Sequence, residues 1–90
     1  MKKEKLLFVI MMSGCGACEE AAPMVKAFAK AHPEIKVVKV DYSVVEWKAK
    51  WRPEYTPTYV AVVGRRKTGM RVADIEDLPD MEAWAAEVFV

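Results

Sequence analysis

Cysteine is scarce in this chain of 90 residues: there are two, with one histidine and four glycines. Two cysteines exclude a small secreted scaffold stapled by several disulfides. They also fall short of the four protein ligands of a structural zinc site. His32 is the only other soft donor apart from methionine, and it lies a helix length away in sequence. Excess charge is missing as well, since 14 basic and 13 acidic residues leave a formal +1. A near-neutral chain gives no argument for nucleic acid or an anionic membrane as partner. Long apolar runs are absent: Leu6 to Met12 is seven residues, against the roughly 20 needed to span a bilayer. With no linker, repeat or low-complexity stretch, residues 1–90 read as one domain, long enough for its own core.

The N-terminus invites one comparison. Lys2, Lys3 and Lys5 ahead of Leu6 to Met12 have the order of a secretory signal. The apolar stretch is at the short limit for such a region, and cleavage after it would discard a strand the rest needs. The expectation is therefore a cytoplasmic protein.

The two cysteines are separated by two residues in Ser13-Gly14-Cys15-Gly16-Ala17-Cys18, directly after that apolar run. The run reads as a buried strand, and the alanine-rich periodic segment after the motif reads as a helix. The first helical turn has unpartnered N–H groups and the positive end of the macrodipole, which stabilise an anion. A thiolate is the nucleophile of disulfide exchange, and this setting lowers a thiol's pKa. Residues three apart share a helix face, so Cys15 can attack a partner disulfide while Cys18 waits to resolve the mixed disulfide. Gly16 and Ala17 leave room for a substrate backbone. Glu19 and Glu20 favour the helix start but oppose a Cys15 thiolate by like charge. Other readings of the pair are a metal or cluster shared between two chains, or two inert thiols.

Read in order, the pattern predicts a strand over 5–12 and a helix over 16–31, with Pro23 inside it kinking the axis or marking a restart. His32-Pro33 ends that helix. A strand over 35–41 follows, parallel to the first through a right-handed crossover. Ser43 and Glu46 have capping-box spacing and open a second helix, with Val44, Trp47 and Trp51 on one face and Pro53 after its end. A third strand spans 58–63 and a fourth runs from about Met70 to Ile75, joined as a hairpin through 64–69. Pro79 starts a last helix that buries Met81, Trp84, Ala85 and Val88. The expected fold is α/β, in the order βαβαββα: a four-stranded mixed sheet with helices on both faces.

With Cys15-Gly16-Ala17-Cys18, Pro23 five residues after the second cysteine, Asp41 at a strand end and Thr56-Pro57-Thr58 before the third strand, the chain resembles the thioredoxin-fold family over almost its whole length. The resemblance implies a sheet order of second, first, third and fourth strands, and a cis peptide at Pro57. It implies that Cys15 is the nucleophile and Cys18 the resolver, and that Gly16, Ala17, Thr56 and Pro57 meet the bound polypeptide. Departures are plain. Thioredoxins have Trp-Cys-Gly-Pro-Cys, where this chain has Gly14 before the pair and Ala17 inside it. They bury an aspartate six residues before the first cysteine, where this chain has Val9, so another group such as Glu19, Glu20 or water must take the proton from Cys18. The Cys-Pro-Tyr-Cys motif and later glycine pair of glutaredoxins are missing.

The family implies a monomeric thiol–disulfide oxidoreductase that reduces protein disulfides through the Cys15–Cys18 couple. It needs no metal and no cofactor beyond that couple. Implied partners are protein disulfides (ribonucleotide reductase among them) and a thioredoxin-reductase-like or glutathione recycling system. The alternatives are a non-catalytic binding module using the Thr56-Pro57 groove, or a glutathione-dependent glutaredoxin.

Overall fold

A computed structural model of the chain describes residues 3–44 and 54–90. The first strand, β1 (Lys5–Met11), is followed by helix α1 (Gly16–Ala31) and strand β2 (Ile35–Asp41). A single 3₁₀ turn, Tyr42–Val44, leads out of β2; strands β3 (Thr58–Val63) and β4 (Arg66–Val72) and helix α2 (Leu78–Val88) complete the described elements. The second helix expected from the Ser43–Glu46 spacing, with Trp47 and Trp51, lies outside the described residues. What is seen at Ser43 is local: Asp41 Oδ1 accepts from its N–H at 2.9 Å and its hydroxyl at 2.7 Å. Those two bonds hold the Asp41 carboxyl below its usual pKa.

The sheet order is β2-β1-β3-β4. Strand β1 is central, parallel to β2 and antiparallel to β3, while β3 pairs antiparallel with β4. Leu7 lies opposite Ala61, and Val9 opposite Tyr59. All four are completely buried, and with alternation along each strand they share one sheet face. Val25 and Phe28 of α1 and Met81, Trp84 and Ala85 of α2 join them in a single core cluster. Both described helices therefore cover the same face. The fully buried leucine, valine, phenylalanine and methionine side chains among them each contribute about 1.5–3 kcal/mol.

Helix α1 runs unbroken through Pro23, which rules out a restart there. Its C-terminus is tied to α2: His32 Nε2 lies 2.8 Å from Glu82 Oε2, and the imidazole packs on Phe28 with ring centroids 4.6 Å apart. Asp77 caps α2, accepting from the Asp80 N–H at 2.9 Å, with Pro79 in the first turn.

Strand β4 corrects the sequence reading. It begins at Arg66 rather than near Met70, and it ends at Val72 rather than Ile75. The two-residue turn Gly64-Arg65, with Gly64 at φ +65°, closes the hairpin earlier than expected. Arg66, Lys67 and Thr68 are polar because β4 is an exposed sheet edge, so no apolar alternation marks them. Cationic side chains also discourage pairing with a second chain at that edge. Gly69 is the strand's tightest point, because a Cβ there would stand 2.6 Å from Val88 Cγ1 and 3.3 Å from Trp84 Cζ2. Gly69→Ala is expected to lower stability by about 1–3 kcal/mol through overpacking, read from the urea midpoint at constant m.

One buried group stands out chemically. The Tyr59 hydroxyl has no hydrogen-bond partner among the described residues. Burial first, and the nearby Asp74 charge second, push its pKa up to about 12. Because the folded value is raised, its favourable contribution is complete below the unfolded pKa of about 10. It is lost as pH climbs from there toward 12. Tyr59→Phe is expected to match or exceed the parent in stability at pH 8, since it removes an unsatisfied hydroxyl. Its advantage should widen at pH 11.5 in parallel urea titrations; an advantage that shrank with pH would contradict the assignment.

Candidate active site at the start of the first helix

Cys15 is the N-cap of α1, with extended backbone at φ −90° and ψ 109°. The turn before it is closed by the Cys15 N–H donating to the Met12 carbonyl at 3.3 Å, with Gly14 at φ +75° in the left-handed region. That conformation suits glycine, which explains why a small residue precedes the pair. Cys15 and Cys18 form a disulfide with Cα atoms 5.2 Å apart. The Cys18 N–H donates to Cys15 Sγ at 3.1 Å, a helix-start donor aimed where a thiolate would carry its charge.

The two sulfurs are not equivalent. Cys18 is 4% exposed, on the buried side of α1, whereas Cys15 is half-buried between exposed Gly14 and Gly16. A Cβ at either glycine would meet nothing within 4 Å. Ala17 is exposed too. The rim around Cys15 is therefore open.

Thr56 and Pro57 arrive from across the sheet, just before β3. The Thr56–Pro57 peptide is cis, and Pro57 is buried. The Thr56 hydroxyl donates to Cys15 Sγ at 3.3 Å. The Thr56 carbonyl lies 3.5 Å from the same sulfur; in the disulfide that is a contact, since the sulfur has no proton to donate. Two bonds fix this corner: the Thr58 hydroxyl donates to the Tyr55 carbonyl at 2.6 Å, and the Ala73 N–H to the Pro57 carbonyl at 2.8 Å. The structure thus brings Cys15, Cys18, Gly16, Ala17, Thr56 and Pro57 to one end of the sheet.

Among the described residues, two clefts lie at this end of the sheet. One, of about 430 Å³, is bordered by Met11, Met12, Gly14, Cys18 and Ala22, together with the ionisable Glu19, Lys39 and Asp41. The other, of about 290 Å³, is lined by Met12, Tyr42, Glu54, Tyr55 and Thr56. Both open at the carboxyl ends of β1 and β2, where ligands bind in sheets of this kind. Of the two glutamates considered as proton acceptors, Glu19 borders the Cys18 cleft and Glu20 does not. Sequence reasoning missed Lys39, Met12 and Tyr55 as neighbours of the site. The parallel pairing of β1 and β2 was the available signal, since it sets Asp41 beside Met11. Val9 is 0% exposed within the core cluster, so the aspartate position of thioredoxins is here apolar and closed to solvent. Among the described residues no cluster of three or more His, Cys, Asp or Glu side chains could hold a metal ion.

A four-stranded mixed sheet, a helix opening on a Cys-x-x-Cys disulfide and a threonine–proline corner beside it together define a thioredoxin-fold protein. Comparison of the fold agrees. The chain superposes on Fasciola hepatica thioredoxin with a TM-score of 0.82 at 25% identity, covering 97% of this chain and 83% of that one. For thioredoxin-2 of the malaria parasite, a component of its protein secretion machinery, the TM-score is 0.83 at 19% identity, over 96% of this chain and 84% of that one. Oxidised mitochondrial thioredoxin 3 of Saccharomyces cerevisiae gives 0.76 at 20%, over 97% and 79%. No family model and no curated protein matches the sequence. Fold and disulfide together support a thiol–disulfide oxidoreductase at that general level.

Proposed function

We propose that this chain is a small cytoplasmic, monomeric reductant of protein disulfides. The observation that carries the reading is the asymmetry of the pair: Cys15 opens to solvent beneath the Thr56 hydroxyl, while Cys18 is buried one helical turn behind it. In the reduced state the Cys15 thiolate attacks one sulfur of a client disulfide. A Cys15–client bond forms and the second client sulfur leaves as a thiolate, which takes up a proton. Cys18, having lost its proton, then attacks Cys15 Sγ and expels the first client sulfur. The client gains two electrons and two protons; the Cys15–Cys18 disulfide closes.

The helix-start N–H groups and the Thr56 hydroxyl stabilise the anionic Cys15. Gly16, Ala17, Thr56 and Pro57 border the open side of Cys15 and receive the client backbone. Neither a metal nor a bound cofactor takes part, and electrons return from a thioredoxin-reductase-like flavoenzyme or from glutathione. Ribonucleotide reductase is a client of fitting chemistry. The test is insulin reduction driven by dithiothreitol. Early turbidity with the parent protein and none above background with Cys15→Ser is the expected result; equal rates for the two proteins would refute the proposal.

A further inference from the structure

Few large apolar side chains are exposed among the described residues, and two of them stand at the disulfide. Met12 is 44% exposed and Tyr55 is 66% exposed. Solvated singly, such residues need no explanation, but these two line one groove together with Tyr42, Thr56 and, as the charged residue of that lining among the described residues, Glu54. Thr56 belongs to that lining, and its hydroxyl reaches Cys15 Sγ. Its volume of about 290 Å³ admits one large side chain and not a folded element. Its walls are a thioether and two phenol rings, surfaces that gain from stacking against another ring. Glu54 is exposed at the lining and offers a carboxylate to a cation beside that ring.

Resting on the reading of the chain as a protein-disulfide reductant, we infer that this groove selects clients. It takes an aromatic side chain adjacent to the attacked cysteine, with a lysine or arginine beside it that meets Glu54. The cysteine pair supplies the chemistry, and Met12, Tyr55 and Glu54 set which disulfides present themselves productively. The occupant is a segment of a client polypeptide, because Thr56, which lines the groove, also contacts the sulfur that bonds to the client. Interfaces select in this way when an aromatic anchor enters a pocket and a charge at its rim sets orientation.

The experiment uses pre-reduced protein in single turnover with disulfide-linked dimers of short peptides. These are Lys-Phe-Cys-Gly, Lys-Ala-Cys-Gly and Glu-Phe-Cys-Gly, with the phenylalanine also placed after the cysteine. Each rate is divided by that of bis(2-hydroxyethyl) disulfide with the same protein, and by the reaction of the same peptide with dithiothreitol. The lysine–phenylalanine peptide is expected to react about tenfold faster than either comparison peptide. Tyr55→Ala and Met12→Ala should bring the phenylalanine-to-alanine ratio toward one while leaving the lysine-to-glutamate ratio. Glu54→Gln should do the reverse, and added salt should weaken the charge preference alone. Equal normalised rates for all peptides, or preferences that survive all three substitutions, would overturn the inference while leaving the reductant reading intact. Failure to reduce even bis(2-hydroxyethyl) disulfide would remove both.

Discussion

Cys15→Ser is expected to cut disulfide reduction by about a thousandfold or more, to the rate of the reductant alone, because a hydroxyl cannot supply the thiolate nucleophile. Cys18→Ser should behave differently. Its Cys15 still faces solvent, still caps α1 and still receives the Thr56 hydroxyl, so the first attack proceeds. Without the buried resolver the reaction stops at the mixed disulfide. Mass spectrometry of the Cys18→Ser protein mixed with an oxidised client should show a stable adduct of one to one, and the Cys15→Ser protein should show none. Adducts in the reverse pattern would make Cys18 the nucleophile and refute the assignment built on exposure. Both variants lose the disulfide, so their stabilities should be compared with that of the reduced parent.

The second large effect concerns Val9. It is 0% exposed, opposite Tyr59 in the register and inside the core cluster. Val9→Asp restores the thioredoxin residue to a site that this chain fills with hydrocarbon. An isolated buried carboxyl has its pKa raised by up to 3–5 units, each unit being about 1.36 kcal/mol. A loss of about 4 kcal/mol or more near pH 7 follows, a large share of the roughly 5–15 kcal/mol that holds a domain folded. The sign with pH is definite. Both states hold a neutral carboxyl well below pH 4, so the penalty is smallest there. It grows as pH rises through the unfolded value and levels off above the raised folded one. Urea unfolding of Val9→Asp and Val9→Asn between pH 4 and 8 checks this: the aspartate variant alone should weaken with pH. A flat profile would mean that the carboxylate finds water or a partner at this position. If a carboxylate at position 9 takes the proton from Cys18, Val9→Asp should also shorten the lifetime of the mixed disulfide.

Much of this architecture was legible because its signals are local. The run Leu6 to Met12 is apolar since β1 is the central strand, and α1 begins and ends where Gly16 and His32-Pro33 place its boundaries. The Thr56-Pro57-Thr58 stretch marks the start of β3 by its own composition. Strand β4 was misplaced for an equally physical reason. Arg66, Lys67 and Thr68 sit on a solvated edge, where side chains carry no alternation to read, and the turn at Gly64 is shorter than the cluster of polar residues around it.

What the sequence determined by itself is the chemistry available: two thiols three positions apart at a helix start, small residues around them, and no charge imbalance to suggest another use. Spacing along a helix fixes which side chains can meet, so a short motif carries that information alone. Only the tertiary structure decided which sulfur faces outward, that the Thr56 hydroxyl stands 3.3 Å from Cys15 Sγ, and that Met12 shares a groove with Tyr55. Those neighbours lie 41 and 43 positions apart in sequence. Their meeting depends on the antiparallel register of β1 with β3, which no local pattern encodes.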